Sequence, residues 1–154
     1  MTSQVSIAAI DPSSPEARGM AAALWEEIQQ RYGFQAPDPF DPDAFAGPVG
    51  HFWVAVAGEE PVGSVALIPL DDDVGELDVM YVAASHRRLG LAGRLLAMLE
   101  DHARGAGISV LRLRAGDPQP EAMAFYRAAG FTPIPPFGRW LGDDTARCLE
   151  KTLA

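Results

Sequence analysis

The sequence predicts an α/β fold of the α+β kind: a mixed, mainly antiparallel central sheet of about six or seven strands flanked by helices on both faces. Three strand-like segments follow one another between His51 and Val82, separated only by short turns, which favours antiparallel pairing. Helical periodicity recurs in three separate segments, and no period of twenty to fifty residues suggests a solenoid or propeller. A length of 154 residues suits one domain, expected to span 1–154, with a core large enough to fold alone.

Val5 to Ala9 is a short apolar run and a candidate first strand. Ser13 or Ser14, followed by Pro15 and Glu16, has the residue types of a helix start. Ala17, Met20, Ala21, Leu24 and Ile28 then recur at helical spacing. Between Gly33 and Gly50 the chain is rich in Pro, Asp and Gly and reads as a long loop with a short helix around Asp41 to Ala46. His51 to Ala57 and Pro61 to Leu70 form a predicted hairpin around Gly58-Glu59-Glu60, and Gly75 to Val82 follows the acidic turn Asp71 to Asp73. After a break at Ser85 to Leu89, Ala92, Leu95, Leu96, Leu99 and Ala103 mark one face of a helix ending near Gly105 or Gly107. Ile108 to Arg114 is the next strand. Asp117 is the expected N-cap of a helix whose Ala122, Phe125, Tyr126 and Ala129 share a face before Gly130 stops it. Phe131 to Ile134 and Arg147 to Leu153 close the sheet, separated by a Pro- and Gly-rich loop that carries Arg139 and Trp140.

Charge and cysteine content narrow the function. Twelve basic residues against 21 acidic give a net charge of −9, a field that repels phosphate polymers and anionic membranes, so no nucleic-acid or membrane partner is expected. Cys148, the single cysteine, can build neither an internal disulfide nor a thiolate zinc site, and His51, His86 and His102 lack ligand spacing, so no metal is expected. The start has no basic segment before an apolar run and no stretch is long enough to span a bilayer, which makes a cytoplasmic protein the default reading; a monomer or homodimer is expected.

The chemistry concentrates where the strand ending Met80-Tyr81-Val82 runs into Arg87-Arg88-Leu89-Gly90-Leu91-Ala92-Gly93-Arg94. A strand, a Gly- and Arg-rich turn and a helix start bring backbone N–H groups and the positive end of a helix dipole together, a setting for a phosphate or pyrophosphate. The alternative is a tight turn whose arginines are merely solvated. A second segment lies downstream, from Gln119 through Ala122, Phe125 and Tyr126 to Gly130-Phe131.

Together these segments resemble the GCN5-related N-acetyltransferase (GNAT) family, in which an Arg/Gln-x-x-Gly-x-Gly/Ala turn binds the pyrophosphate of CoA. Arg87, Gly90 and Ala92 match that turn, and Ala122, Tyr126, Gly130 and Phe131 match the later pattern, with Gln119 where asparagine is usual. The resemblance implies an acetyl-CoA-dependent N-acetyltransferase. It places the cofactor beside Met80, Tyr81 and Val82, over residues 87–94, and against Gln119 and Phe125. It also implies a splay of the sheet after Val82 that admits the pantetheine arm.

Acetyl transfer needs a base, because an alkyl amine with a pKa near ~10.4 is protonated at neutral pH, and it benefits from an acid for the leaving thiolate. Tyr126 stands where the family's motif carries that acid; a core aromatic is the alternative. Strand alternation puts Glu76, Asp78, Met80 and Val82 on one face and Leu77, Val79 and Tyr81 on the other. Glu76, where some family members carry a glutamate base, is the better candidate, although a carboxylate there could instead orient a loop. The expected acceptor is a small-molecule amine. Net charge favours one bearing a further positive charge, whereas Arg139 in the covering loop could clamp a carboxylate. A non-catalytic acetyl-CoA sensor and a protein acetyltransferase share the cofactor turn. The two proton-transfer candidates favour an enzyme over the sensor.

Overall fold

The computed structural model describes residues 4–154. Seven strands, β1 (Val5–Ile10), β2 (His51–Ala57), β3 (Glu60–Asp71), β4 (Val74–Val82), β5 (Val110–Ala115), β6 (Thr132–Ile134) and β7 (Arg147–Thr152), form one sheet in the order β1-β2-β3-β4-β5-β7-β6. Every neighbouring pair is antiparallel except β4 and β5. Three helices connect them: α1 (Pro15–Tyr32), α2 (Leu91–Gly105) and α3 (Pro120–Ala128).

Local chemistry accounts for the helix ends. Ser14 is extended and its Oγ accepts from the Ala17 N–H, Pro15 fills the first helical position, and Gly33 closes α1 at φ 74 in the left-handed region. Asp117 does not cap α3. Pro118 and Pro120 delay the helix, which starts at Pro120 with Gln119 at the cap position, and the Asp117 carboxylate instead receives both Nε and Nη2 of Arg147.

The two sheet faces hold separate cores. On one, Trp53, Val65, Leu67, Leu77, Leu111, Leu113 and Leu149 meet Leu95 and Leu99 of α2 and Tyr126 of α3. On the other, Phe52, Val54, Ala66 and Val79 meet Ala17, Met20 and Ala21 of α1, with Phe45 of the long loop edge-on to Phe52. Leu95 and Leu99 are fully buried, and truncating either to alanine costs about 2–5 kcal/mol.

Alternation along β4 fails at one place, and the face assignment changes with it. Ala66 lies opposite Asp78 but Ser64 lies opposite Tyr81, so two residues of β4 bulge against Val65. Val79 takes φ 50, unusual for a β-branched residue, and its carbonyl accepts from the buried Ser64 hydroxyl at 2.7 Å. Leu77 packs on the α2 side, but both Val79 and Tyr81 pack on the α1 side, while Met80 and Val82 turn to the α2 side. The expected grouping of Glu76 and Asp78 with Met80 and Val82 is therefore wrong. Glu76 and Asp78 share their face with Val79 and Tyr81.

Candidate active site

The parallel pairing of β4 with β5 is short. It joins Val74, Gly75 and Glu76 to Val110, Leu111 and Arg112, and beyond Glu76 the two strands separate. Among the described residues no strand pairs with the remainder of β4 on that side, so a slot opens in the middle of the sheet with backbone polar groups along one wall. At its far end, Val82, His86, Arg87, Arg88, Gly90 to Gly93 and Phe125 line a cleft of about 220 Å³.

This turn fits a pyrophosphate. Arg88 (φ 64) and Gly90 (φ 79) are both left-handed, which turns the backbone so that the N–H groups of residues 88–93 bond no acceptor among the described residues. Among the described residues no side chain caps α2, so those amides and the positive end of the helix face the cleft together. A side chain at Gly90 would be strained at that φ, although the space around it is open.

Several predicted cofactor residues are placed elsewhere. The Arg94 guanidinium bonds the Val5 carbonyl at 3.0 Å, Leu89 is two-thirds exposed, and Tyr81 packs on the α1 side. The Leu91 side chain is buried in the core beneath the cleft it lines. Gln119 accepts from the Tyr32 hydroxyl at 2.9 Å. Arg87 lines the cleft but is partly engaged: Nε donates to the Val82 carbonyl and Nη2 to Glu27 of α1 at 2.7 Å. One turn along α1, Arg31 holds the Glu121 carboxylate with two hydrogen bonds and the Pro118 carbonyl with a third. Glu27 and Arg31 thus tie α1 to the segments that follow the two strands flanking the slot.

The predicted proton-transfer groups lie deeper. Glu76 is 3% exposed, and its pKa is pushed up to about 7 by burial and by the neighbouring negative charge of Asp78. Arg139 opposes this: its Nη2 donates to Glu76 Oε2 at 2.5 Å and to Asp78 Oδ2 at 2.9 Å. The Trp140 indole N–H faces Glu76 closely enough to favour its charged form, without a hydrogen bond of good geometry. Tyr126 is buried, edge-on to Phe125 and Phe131. Burial, and then the charge of Asp78, raise the pKa of its hydroxyl, which stays protonated at neutral pH.

Arg139 is held by stacking. Its guanidinium lies 4.6 Å from the Trp140 ring centroid, and Arg114 lies 5.2 Å from the same ring and 5.3 Å from that of Tyr32. Gly116 makes room for Tyr32, since a Cβ there would sit 1.9 Å from the tyrosine hydroxyl oxygen. Sequence reading overlooked Tyr32, Glu27, Arg112 and Arg114. The run Leu111-Arg112-Leu113-Arg114 was a usable signal for the last two, because in a strand with one buried face it places both arginines together on the other. Nothing local marked Tyr32 or Glu27.

The remaining singled-out residues have structural surroundings. His51 and His102 stack at 4.0 Å, and each has a ring nitrogen on a backbone carbonyl, of Gly50 and Val49. Burial raises the pKa of the Cys148 thiol, the opposite of activation. Asp73 receives the Ser109 hydroxyl, and Trp25 donates to the Ala36 carbonyl.

Comparison with known proteins decides the family. The family model described as Acetyltransferase (GNAT) family matches residues 18–131. The chain belongs to the GNAT acetyltransferases. An IAA acetyltransferase of Azospirillum brasilense is 34% identical over 84% of this chain and 88% of its own. Among solved structures, a GNAT acetyltransferase from Staphylococcus aureus superposes with a TM-score of 0.81 at 21% identity, covering 98% of this chain and 100% of that one. A GNAT acetyltransferase from Elizabethkingia anophelis, crystallised with acetyl-CoA, gives 0.68 at 18% identity, covering 97% and 98%. Acetyl-CoA is the acyl donor of this GNAT enzyme. Among the described residues no helix is long and apolar enough to cross a membrane.

Proposed function

We propose that this GNAT enzyme, acting as one domain over 1–154, moves the acetyl group of acetyl-CoA directly onto the primary amine of a small molecule, with Glu76 as general base and Tyr126 as general acid. The observation that carries the reading is the buried Glu76 carboxylate, with a pKa of about 7, beside the opening between β4 and β5. A base of that pKa is half ionised at neutral pH and accepts a proton from an ammonium group brought against it.

The amides of residues 88–93, with Arg87 and Arg88, hold the pyrophosphate, and the unpaired edge of β4 orients the pantetheine arm. The acceptor ammonium gives one proton to Glu76, and the freed nitrogen attacks the thioester carbonyl. As the carbon–sulfur bond breaks, Tyr126 gives its proton to the departing sulfur. The nitrogen loses a second proton as the amide forms, Tyr126 is reprotonated, and one proton in all is released to solvent. Tyr126 holds its proton firmly before that step, so its hydroxyl is a hydrogen-bond donor poised for negative charge that appears only during reaction.

The test is amine-dependent release of CoA thiol from acetyl-CoA across amines, amino acids, aminoglycosides and peptides. Release by the wild type that falls to background in Glu76→Gln, with acetyl-CoA binding retained, supports the assignment. Acetyl-CoA binding with no amine-dependent release from any acceptor points to a sensor instead.

A further inference from the structure

The cation already seated on Glu76 and Asp78 constrains the acceptor. Resting on the amine-acetylation reading above, we propose that the acceptor carries a carboxylate within a few bonds of its reacting amine, as an α-amino acid does, and that Arg139 selects for it by moving from Glu76 and Asp78 onto that carboxylate.

The argument is one of charge and of vacant donors. A single nitrogen of Arg139, Nη2, holds both carboxylates, while its Nε and Nη1 make no hydrogen bond among the described residues. The arginine is half-exposed, so it can be reached from solvent. An acceptor ammonium needs the same two carboxylates and must displace the guanidinium. A plain amine would leave Arg139 without a counter-ion, whereas an amino acid brings one: its ammonium takes over Glu76 and Asp78, and its carboxylate takes the guanidinium. The two carboxylates that shared one cation then face another, the guanidinium gains a carboxylate of its own, and the net charge of the site is unchanged. The short reach follows from the tether, because Arg139 sits in the short 3-10 turn Gly138–Trp140 and stacks on Trp140, which confines its displaced position to the neighbourhood of Glu76.

A second observation agrees. Among the described residues, Arg114 Nε, Arg112 Nε and Trp140 Nε1 are buried N–H donors without a hydrogen bond of good geometry on this sheet face; Arg112 Nε has Glu150 at 4.0 Å and Trp140 faces Glu76, which leaves Arg114 Nε with the least compensation. Buried donors left over in native structures call for an acceptor, and a carboxylate is acceptor-only. Asp143 and Thr145 hold Nη2 of Arg114 and Tyr32 accepts from its Nη1, so that arginine is braced and does not need to move.

The experiment compares acceptors matched except for the carboxylate: L-phenylalanine with 2-phenylethylamine and L-phenylalaninamide, L-leucine with isopentylamine, and L-lysine with cadaverine. Both kcat/KM with acetyl-CoA and calorimetric affinity for the enzyme–CoA complex are measured. The carboxylated member of a pair is expected to be favoured by about 10- to 100-fold, the worth of a charge-assisted hydrogen-bonded contact. Arg139→Gln is expected to bring that ratio close to one, mainly through KM, and Arg139→Lys to restore part of it. The thermal shift given by acetyl-CoA reports that each variant is folded. Cadaverine or the other decarboxylated amines favoured by the wild type, or a ratio unmoved by Arg139→Gln, overturns the proposal. Turnover and binding separate the two readings. Arg139-dependent carboxylate preference in binding without turnover of any acceptor sustains the selection and refutes acetylation. Turnover or binding without such preference refutes the selection alone.

Discussion

The proposed donor turn and the proposed acceptor side of this enzyme are built in opposite ways. Residues 88–93 are contiguous, and the anion binding proposed for them would come from backbone amides that share one turn and one helix start. The proposed acceptor side draws Glu76 and Asp78 from β4, Arg114 from β5, Arg139 and Trp140 from the segment after β6, and Tyr32 from the end of α1. Within the turn, a ligand contact depends on φ and ψ at a few adjacent residues. Across the acceptor side it depends on strand register, on a bulge and on loop packing. The first arrangement depends on the backbone of one short segment, and the second on side chains brought together from several elements.

The largest effect is expected at the turn. Gly90→Asp puts a side chain at φ 79 and a negative charge among the free amides, so the acetyl-CoA-induced rise in Tm should disappear. Calorimetric affinity for acetyl-CoA within threefold of wild type would show that the turn is not the pyrophosphate site.

Glu76→Gln comes next, with turnover lowered on the order of 10²–10⁴ and acetyl-CoA affinity retained. Wild-type kcat/KM should rise with pH through about 7, as the Glu76 carboxylate forms. Tyr126→Phe keeps the ring between Phe125 and Phe131 and removes the donor. A fall in kcat on the order of 10²–10⁴ is expected, and near-normal turnover with chemistry rate-limiting would make Tyr126 a packing residue.

Stability should move the other way. The folded protein holds the Glu76 proton more tightly than the unfolded chain does, so this group favours folding below about pH 4.5, and that contribution is lost as pH rises through about 7. At pH 8 the buried charge therefore costs roughly 3 kcal/mol, and Glu76→Gln, inactive, should melt several degrees above wild type there. The difference should vanish near pH 4, and scanning calorimetry at the two pH values measures it. The smallest effect is expected for Glu27→Gln, which frees a half-exposed Arg87. Acetyl-CoA should bind at most about fivefold more tightly, with the gain shrinking as salt is added.

Much of the fold was legible in the sequence because strands and amphipathic helices announce themselves by local periodicity. The seven strands and three helices show as patterns of alternation or helical spacing within a few residues, and the Ser14 and Pro15 start of α1 and the glycine turn before α2 are local as well, although the strands pair over long range. The boundary error at Asp117 arose where two local signals competed, a capping side chain against prolines at 118 and 120. By itself the sequence determined the element order and the contiguous amide turn, since both depend on neighbours along the chain. Tertiary structure alone decided that Val79 bulges and carries Tyr81 to the face of Glu76 and Asp78. It also decided that Arg139 seats on both carboxylates across more than sixty residues, and that Tyr32 fits against Gly116. The physical reason is that burial, register and the pairing of distant charges are properties of surfaces brought together, and those surfaces exist only once the sheet has closed its neighbours around it.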